Sequence, residues 1–301
     1  RLCYAGTVLR TRPEGLLGTR TPLRIGAELY GVDGPSGDAE ILALMVRTLQ
    51  AAGVCDGDGQ VQVELGHVAI YRSLAALAGL DAEAAGRLFD AVQRKAGSDI
   101  DLVLTETDCG AEAAELIRVL PSLYGDLGTL ARAREALAGA PAAVGAALEE
   151  LERIAELAER RAAGLELRFD LAELRGYNYH SGTVFTAYAA DHGRIVAGGG
   201  RYDGVGGAFG RARPATGFDA DLKVLAELGV EPPAARGTVL APDDEGLDPE
   251  RQRALWRRAE ALRDEGLRVV ASPSAACAEE RLEWRDGDWV RVPLDGEPTG
   301  H

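Results

Sequence analysis

Between Arg175 and Asp221 the chain gathers residue types that hold small polar molecules. Arg175, Asn178, Tyr179 and His180 stand close together, and Gly198-Gly199-Gly200-Arg201-Tyr202-Asp203-Gly204 follows. The runs Thr183–Ala190 and Arg194–Ala197 read as strands around a polar turn, Asp191-His192-Gly193. Glycines after the second run would let the backbone turn with positive φ and let a ligand lie against the main chain. Arg201 and Asp203 are placed to fix that turn or to meet a ligand. No Gly-Lys-Ser/Thr opens a helix here and no βαβ unit surrounds the glycines, so this is neither a P-loop nor a dinucleotide fingerprint. Two readings fit the pattern: a small-molecule pocket on an antiparallel sheet, and a glycine-rich hairpin with satisfied surface charges.

A second stretch carries chemistry on a strand. In Leu23–Gly31 the residues alternate, with Arg24, Gly26 and Glu28 on one face and Leu23, Ile25, Ala27 and Leu29 on the other. The polar face is either solvated, as antiparallel sheets allow, or turned to a ligand. His67 ends the strand Val61–Leu65 at the turn into a helix over Val68–Leu77 and reads as structural.

Other elements must position these groups. Asp38 is expected to cap a helix running to about Gly53. From 81 to 163 the pattern is helical, with candidates at Asp81–Lys95, Ala111–Val119, Leu127–Leu137 and Ala142–Ala163. The last has opposite charges at helical spacing, the mark of a solvated face. Leu165–Asp170 and Ala215–Phe218 read as strands, and Ala220–Leu228 as a short helix before a Pro232-Pro233 linker. Beyond it come a strand at Thr238–Ala241, a helix at Pro249–Glu265, a strand at Leu267–Ala271, a weaker helical stretch and a strand at Asp288–Val292. These predict a main domain over 1–228, with a helical insertion at about 81–163, and a small α/β unit over 237–301.

Composition narrows the function. The 301 residues carry a net charge of −15, with 46% hydrophobic and 27% charged residues. That balance is globular, no apolar run approaches a membrane span, and no signal peptide opens the chain, so a cytoplasmic location is expected. The acidic charge opposes binding to nucleic acid, whose phosphates call for Lys and Arg. Cys3, Cys55, Cys109 and Cys277 lie far apart without metal-ligand spacing, and buried free thiols are expected. With four histidines in all, a histidine-rich metal site is not expected, nor is a cofactor.

The motifs RGYNYHSGTVF and AGGGRYDG resemble the two histidine-specific motifs of histidyl-tRNA synthetases. Val8–Gly31 is similar to motif 2 of class II synthetases, and PATGFDADLKVL stands in the place of motif 3. The resemblance covers about residues 1 to 228. It implies an α+β fold: a class II aminoacyl-tRNA synthetase-like antiparallel sheet flanked by helices, with a helical insertion. It also implies that the motif 1 segment is missing ahead of residue 1.

By that resemblance Arg10 matches the motif 2 arginine on the ATP α-phosphate, whereas Arg12 replaces a glutamate. Val224 stands where motif 3 supplies an arginine, and Asp221 where it has a glycine. Transfer at phosphorus needs cations on the developing charge, so the ATP site is expected to be vestigial and the chain non-catalytic. The histidine side is better kept. Glu28 matches a carboxylate that reads an imidazole N–H, and Arg175 an arginine at the amino-acid carboxylate. Tyr179 and His180 lie where paired tyrosines stand, Arg201 and Tyr202 keep the second motif, and Arg24 replaces a glutamine. A carboxylate accepting from a ring N–H and a guanidinium pairing with a carboxylate would still recognise histidine.

A broken ATP site beside a kept amino-acid site resembles the regulatory subunits of short-form ATP phosphoribosyltransferase, as do the strings LRTRPEGLLGTRTPL and ELGHVAIYRSL. That family implies a hetero-oligomer with the catalytic subunit and feedback by L-histidine on the first step of histidine biosynthesis. The alternatives are a divergent histidyl-tRNA synthetase and a stand-alone amino-acid-binding paralogue.

Overall fold

The computed structural model describes residues 1–11, 20–55, 60–107, 109–177, 179–189, 194–229, 237–242, 247–270 and 278–294. Arg12, Asn178, the Asp191-His192-Gly193 turn, the Pro232-Pro233 linker and Cys277 lie outside the described residues. The chain divides into two units, Arg1–Val230 and Glu231–His301.

In the first unit the elements are β1 (Leu2–Thr7), β2 (Leu23–Tyr30), α1 (Pro35–Ala51), β3 (Val61–His67), α2 (Val68–Leu77), α3 (Ala82–Gln93), α4 (Gly97–Glu106), α5 (Ala111–Val119), β4 (Tyr124–Gly125), α6 (Gly128–Ala136), α7 (Ala142–Arg161), β5 (Leu165–Asp170), β6 (Thr183–Ala189), β7 (Arg194–Arg201), β8 (Ala215–Asp221) and α8 (Leu222–Leu228). The strands form one sheet in the order β1-β2-β8-β7-β6-β3-β5-β4. It is mixed rather than purely antiparallel, because β3 and β5 run parallel. Parallel neighbours need a long crossover, and the helical insertion between them supplies it.

Alternation along the strands sorts the two faces. Ala27 and Leu29 of β2, Phe218 and Ala220 of β8, Phe185 and Ala187 of β6, and Val61, Val63 and Leu65 of β3 are buried. They pack with the apolar sides of α1 and α7 in one continuous core. Burial of this apolar area is the main stabilising term, worth roughly 25 cal/mol per Å².

Several elements differ from the sequence reading. Asp38 does not cap α1. Pro35 sits at the helix start after Gly34, as its fixed φ favours, and this places Asp38 inside the first turn, 1% exposed. The additional helix α4 begins at Gly97-Ser98-Asp99; Ile100, Val103 and Leu104 give it a buried stripe. Gly198–Gly200 belong to β7 and do not form a turn. Gly199 is required by close approach, since a Cβ there would lie 2.1 Å from the Gly217 carbonyl oxygen. Cys3 and Cys55 are free and exposed rather than buried.

The second unit holds β9 (Thr238–Leu240), α9 (Pro249–Asp264), β10 (Arg268–Val270), β11 (Glu280–Arg285) and β12 (Asp288–Pro293), with strand order β10-β9-β11-β12. Within the expected weak helical stretch, Glu280–Arg285 is instead a strand. It pairs with β12 across Asp286-Gly287, whose φ values of 52° and 88° fit the Asp-Gly turn that suits a two-residue hairpin. Val239, Leu255, Leu262, Leu282 and Trp289 form this unit's own core.

Candidate functional site

The strand register lays the polar residues out in rows across the face of the sheet opposite the core. One row runs Leu2, Glu28, Gly217, Gly200, Val184, Gly66. The next runs Tyr4, Gly26, Asp219, Gly198, Thr186, Glu64. Facing residues in neighbouring strands share a side of the sheet, so Gly26, Gly198, Gly200 and Gly217 form a floor without side chains. Glu28 leans over Gly217, where a Cβ would meet its carboxylate. Tyr4 leans over Gly26, its hydroxyl 2.6 Å from the place of a Cβ. Above Gly198 the nearest atom to a Cβ would be the Phe185 carbonyl oxygen at 3.5 Å. The floor is open there.

One wall of this floor is built around Glu28. The Tyr202 hydroxyl donates to Glu28 Oε2, and the Tyr30 hydroxyl lies 3.3 Å from that of Tyr202. Tyr179 stacks on Tyr202 with ring centroids 4.9 Å apart, and His180 meets Tyr179 edge-on at 5.3 Å. Burial raises the Glu28 pKa against the Tyr202 hydrogen bond, and the charge of Asp219 raises it further. The Tyr202 hydroxyl is driven up by burial and by its bond to Glu28. Tyr4 is pushed up to about 12 by burial and by the Asp219 and Glu28 charges, with Arg24 opposing. Arg24 forms a cross-strand ion pair with Asp219.

The opposite wall belongs to Arg175. Its Nη1 donates to the Tyr188 hydroxyl at 3.1 Å and lies 3.5 Å from Glu173 Oε2. The Arg175 N–H donates to Glu173 Oε1 at 2.8 Å, fixing the turn. Burial works against the Arg175 charge, but Glu173, Tyr188 and Glu64 hold its pKa above the usual value. Glu173 is raised by burial. Tyr188 projects from β6, three strands from β2, which carries Glu28. At a strand spacing of roughly 4.8 Å the backbones of the two walls stand about 14 Å apart, and with Glu28 leaning inward over Gly217 the gap over Gly198 has room for one amino acid.

Arg201 is not brought to this face. Consecutive strand residues point to opposite sides, so Arg201 goes to the helix side while Tyr202 goes to the floor. Its Nε donates to Asp38 Oδ2 at 3.0 Å, Nη1 to Asp203 Oδ1 at 3.1 Å and Nη2 to the Gly34 carbonyl at 3.0 Å. The guanidinium is buried and occupied, and its role is to clamp β7 to the start of α1. A cavity of about 280 Å³ adjoins it, bordered by Asp33, His67, Glu150 and Ser181. His67 accepts from the Ala69 N–H at 3.2 Å, which caps α2, and contacts Glu150 at 3.1 Å. His180 is intermediate in position. Its Nδ1 lies 3.3 Å from the Arg201 carbonyl oxygen, and burial lowers its pKa.

The remaining candidates fall outside the floor. Arg10 extends the β1–β2 ladder, donating its N–H to the Arg20 carbonyl at 2.8 Å. Val224 packs against the core from α8. Asp221 accepts from the Lys223 N–H at 3.0 Å and so caps α8. Sequence reasoning missed Tyr4, Tyr30, Glu64, Asp219 and the buried Asp38. Tyr30 continues the Arg24, Gly26, Glu28 alternation and was legible in principle; the others need the cross-strand register. Among the described residues no cluster of metal-binding side chains occurs, and no helix is long and apolar enough to cross a membrane.

Comparison with known proteins shows the family. A histidyl-tRNA synthetase family model matches residues 1–225. The ATP phosphoribosyltransferase regulatory subunit of Ectopseudomonas mendocina (strain ymp) is 47% identical over 304 aligned positions, spanning 98% of this chain and 74% of the relative. That of Pseudomonas aeruginosa (strain LESB58) is 45% identical, with the same coverage of each. The chain belongs to the ATP phosphoribosyltransferase regulatory subunits. This family shares the synthetase fold. The crystal structure of an ATP phosphoribosyltransferase regulatory subunit/histidyl-tRNA synthetase from Bacillus halodurans C superposes with a TM-score of 0.65 at 26% identity, covering 91% of this chain and 68% of that one. A chain of the ATP phosphoribosyl transferase (HisG:HisZ) complex from Thermotoga maritima shares the fold at a TM-score of 0.52 and 18% identity, covering 73% of this chain and 72% of that one. As a regulatory subunit the chain is a non-catalytic member of a synthetase-like fold.

Proposed function

We propose that this regulatory subunit assembles with the catalytic chain of ATP phosphoribosyltransferase, is required for its activity, and carries L-histidine over the Gly198 floor as the feedback signal of the first step of histidine biosynthesis. The observation that carries the reading is the pairing of two walls across one open floor. Glu28, steadied by Tyr202, is an acceptor for a ring N–H, and Arg175, steadied by Glu173 and Tyr188, is a donor for a carboxylate. Tyr179 and Tyr202 offer stacked rings beside the imidazole position. His180 supports this wall from the side, and Arg201 supports it through the strand. Arg24 sits at the edge of the same wall.

The site lacks what adenylation needs. Glu28, Asp219, Glu64 and Glu173 make the surroundings of the floor acidic, which opposes a triphosphate. A net charge of −15 likewise favours no nucleic-acid partner, and a biosynthetic role favours the cytoplasm. Residues 1–228 would carry the ligand site and 237–301 a separate unit.

The test is calorimetric titration of the chain with L-histidine, alone and with the short-form catalytic subunit, alongside a transferase assay. Histidine binding that changes transferase activity is expected. A stable complex that ignores histidine moves the feedback site elsewhere. Histidine-driven ATP–pyrophosphate exchange would instead support the divergent synthetase.

A further inference from the structure

The Arg24–Asp219 pair is the strongest feature of the floor that the preceding reading leaves unused. It bridges β2 and β8, the second and third strands from the β1 edge of the sheet. Asp219 stands directly opposite Gly26, with Arg24 two residues before that glycine and Glu28 two residues after it. Asp219 and Glu28 are therefore diagonal neighbours on one face, separated by the bare positions Gly26 and Gly217, within reach of a single small group. Around them the structure places two carboxylates and one guanidinium, so the cluster carries a surplus negative charge. Arg24 engages Asp219 Oδ1, whereas a carboxylate offers about four acceptor sites over two oxygens. The Asp219 side chain keeps 38% exposure and Arg24 21%, so the pair is neither sealed in the core nor a freely solvated surface contact.

An ordinary cross-strand ion pair would need none of this. Such pairs contribute roughly 0.2–1 kcal/mol and do not call for a second carboxylate on the same face. Here the second carboxylate is present, the Glu28 pKa is raised partly by Asp219, and Asp219 borders the open position above Gly198, its partner on β7. A positive group entering there would relieve the repulsion between the two acids.

We propose that Asp219 is the ammonium anchor of the floor, so that the site selects a free, unacylated amino acid and not merely an imidazole or a carboxylate. The inference rests on the histidine reading above. In this arrangement the ligand ring meets Glu28, its carboxylate faces Arg175, and its ammonium lies by Asp219, while Arg24 holds that carboxylate in place and prevents it from swinging over Gly198.

The experiment is titration calorimetry at neutral pH on the full chain and on Asp219→Asn, with L-histidine, histamine, which lacks the carboxylate, and imidazolepropionate, which lacks the ammonium. Loss of a charge-assisted hydrogen bond predicts about 10- to 100-fold weaker binding of L-histidine and histamine to the variant. Imidazolepropionate should change by no more than about twofold. On the unaltered chain L-histidine should bind at least about tenfold more tightly than imidazolepropionate, a comparison that does not depend on the variant folding. Equal losses for all three ligands, or none, would overturn the anchor and leave the histidine site standing. Failure of the unaltered chain to bind L-histidine, alone or with the catalytic chain, would overturn both.

Discussion

Arg201→Met tests whether the arginine of the AGGGRYDG motif serves the ligand or the fold. Asp38 is 1% exposed, and Arg201, itself 6% exposed in its side chain, is the cation against it. Removing the guanidinium strands a buried carboxylate, at a cost of about 3–5 kcal/mol. Lost donors to the Gly34 and Val32 carbonyls add to this, while protonation of Asp38 limits it. Burial already raises the Asp38 pKa, with Arg201 opposing. A folded-state pKa above the unfolded one favours folding at low pH, and that advantage is lost as pH rises through the folded value. Without Arg201 the pKa rises further, so the variant's deficit should be largest near neutrality and shrink on acidification. For a unit of this size about 4 kcal/mol corresponds to a Tm lowered by about 8–16 °C. Urea denaturation of the wild type, Arg201→Met, Asp38→Asn and the double variant would give the pair's coupling energy, expected to exceed about 2 kcal/mol. The folded variant should bind L-histidine within about twofold of wild type. A stability loss below about 1 kcal/mol together with abolished binding would refute the clamp and restore Arg201 to the ligand.

Gly198→Ala should leave the melting temperature within about 2 °C, since the added Cβ meets only the Phe185 carbonyl at 3.5 Å, yet weaken histidine binding by at least about tenfold in calorimetry, because the methyl group enters the floor. Glu28→Gln keeps an acceptor for Tyr202 but exchanges a charged acceptor for a neutral one; the difference, about 1–1.5 kcal/mol or roughly 5- to 10-fold in Kd by calorimetry, should be lost. The folded-state pKa of His180 is depressed by burial from its ordinary value of 6.5, so its contribution is present above that value and lost as pH falls through the folded one. His180→Gln should accordingly narrow the Tm difference between pH 7.5 and 5.5 measured by scanning fluorimetry; an unchanged difference would remove His180 from the acid response.

Strands were legible where both faces had distinct demands. In β2 the apolar residues meet the core and the polar ones the floor, so alternation alone gives its orientation. The glycines of β7 misled for the same physical reason that makes them useful. A residue without a side chain carries no alternation signal, and Gly198-Gly199-Gly200 reads as a turn until β6 and β8 are in place on either side. The parallel pairing of β3 with β5, about a hundred residues apart in sequence, left no local mark. Asp38 looked like a cap because a carboxylate near a helix start usually is one; its partner lies 163 positions away. Individual roles at the site divide along the same line. Glu28 and Tyr202 could be named from motifs, but that they meet each other, and that Arg201 points away from them, follows from strand parity and register.

Register also explains why α8 can vary without disturbing the floor. Val224 and Asp221 lie on and just before α8, where Asp221 caps the helix and Val224 packs on the core. Neither belongs to the two rows that contain Glu28, Gly217, Gly200, Asp219, Gly198 and Glu64. The apolar Val224 on α8 therefore adds a packing contact and leaves the rows unaltered. The converse is not true. A side chain introduced at Gly217 would collide with Glu28, and one at Gly199 with the backbone of β8. Packing at the helix and the layout of the sheet face are separable in this architecture, so a change on α8 can leave the floor intact.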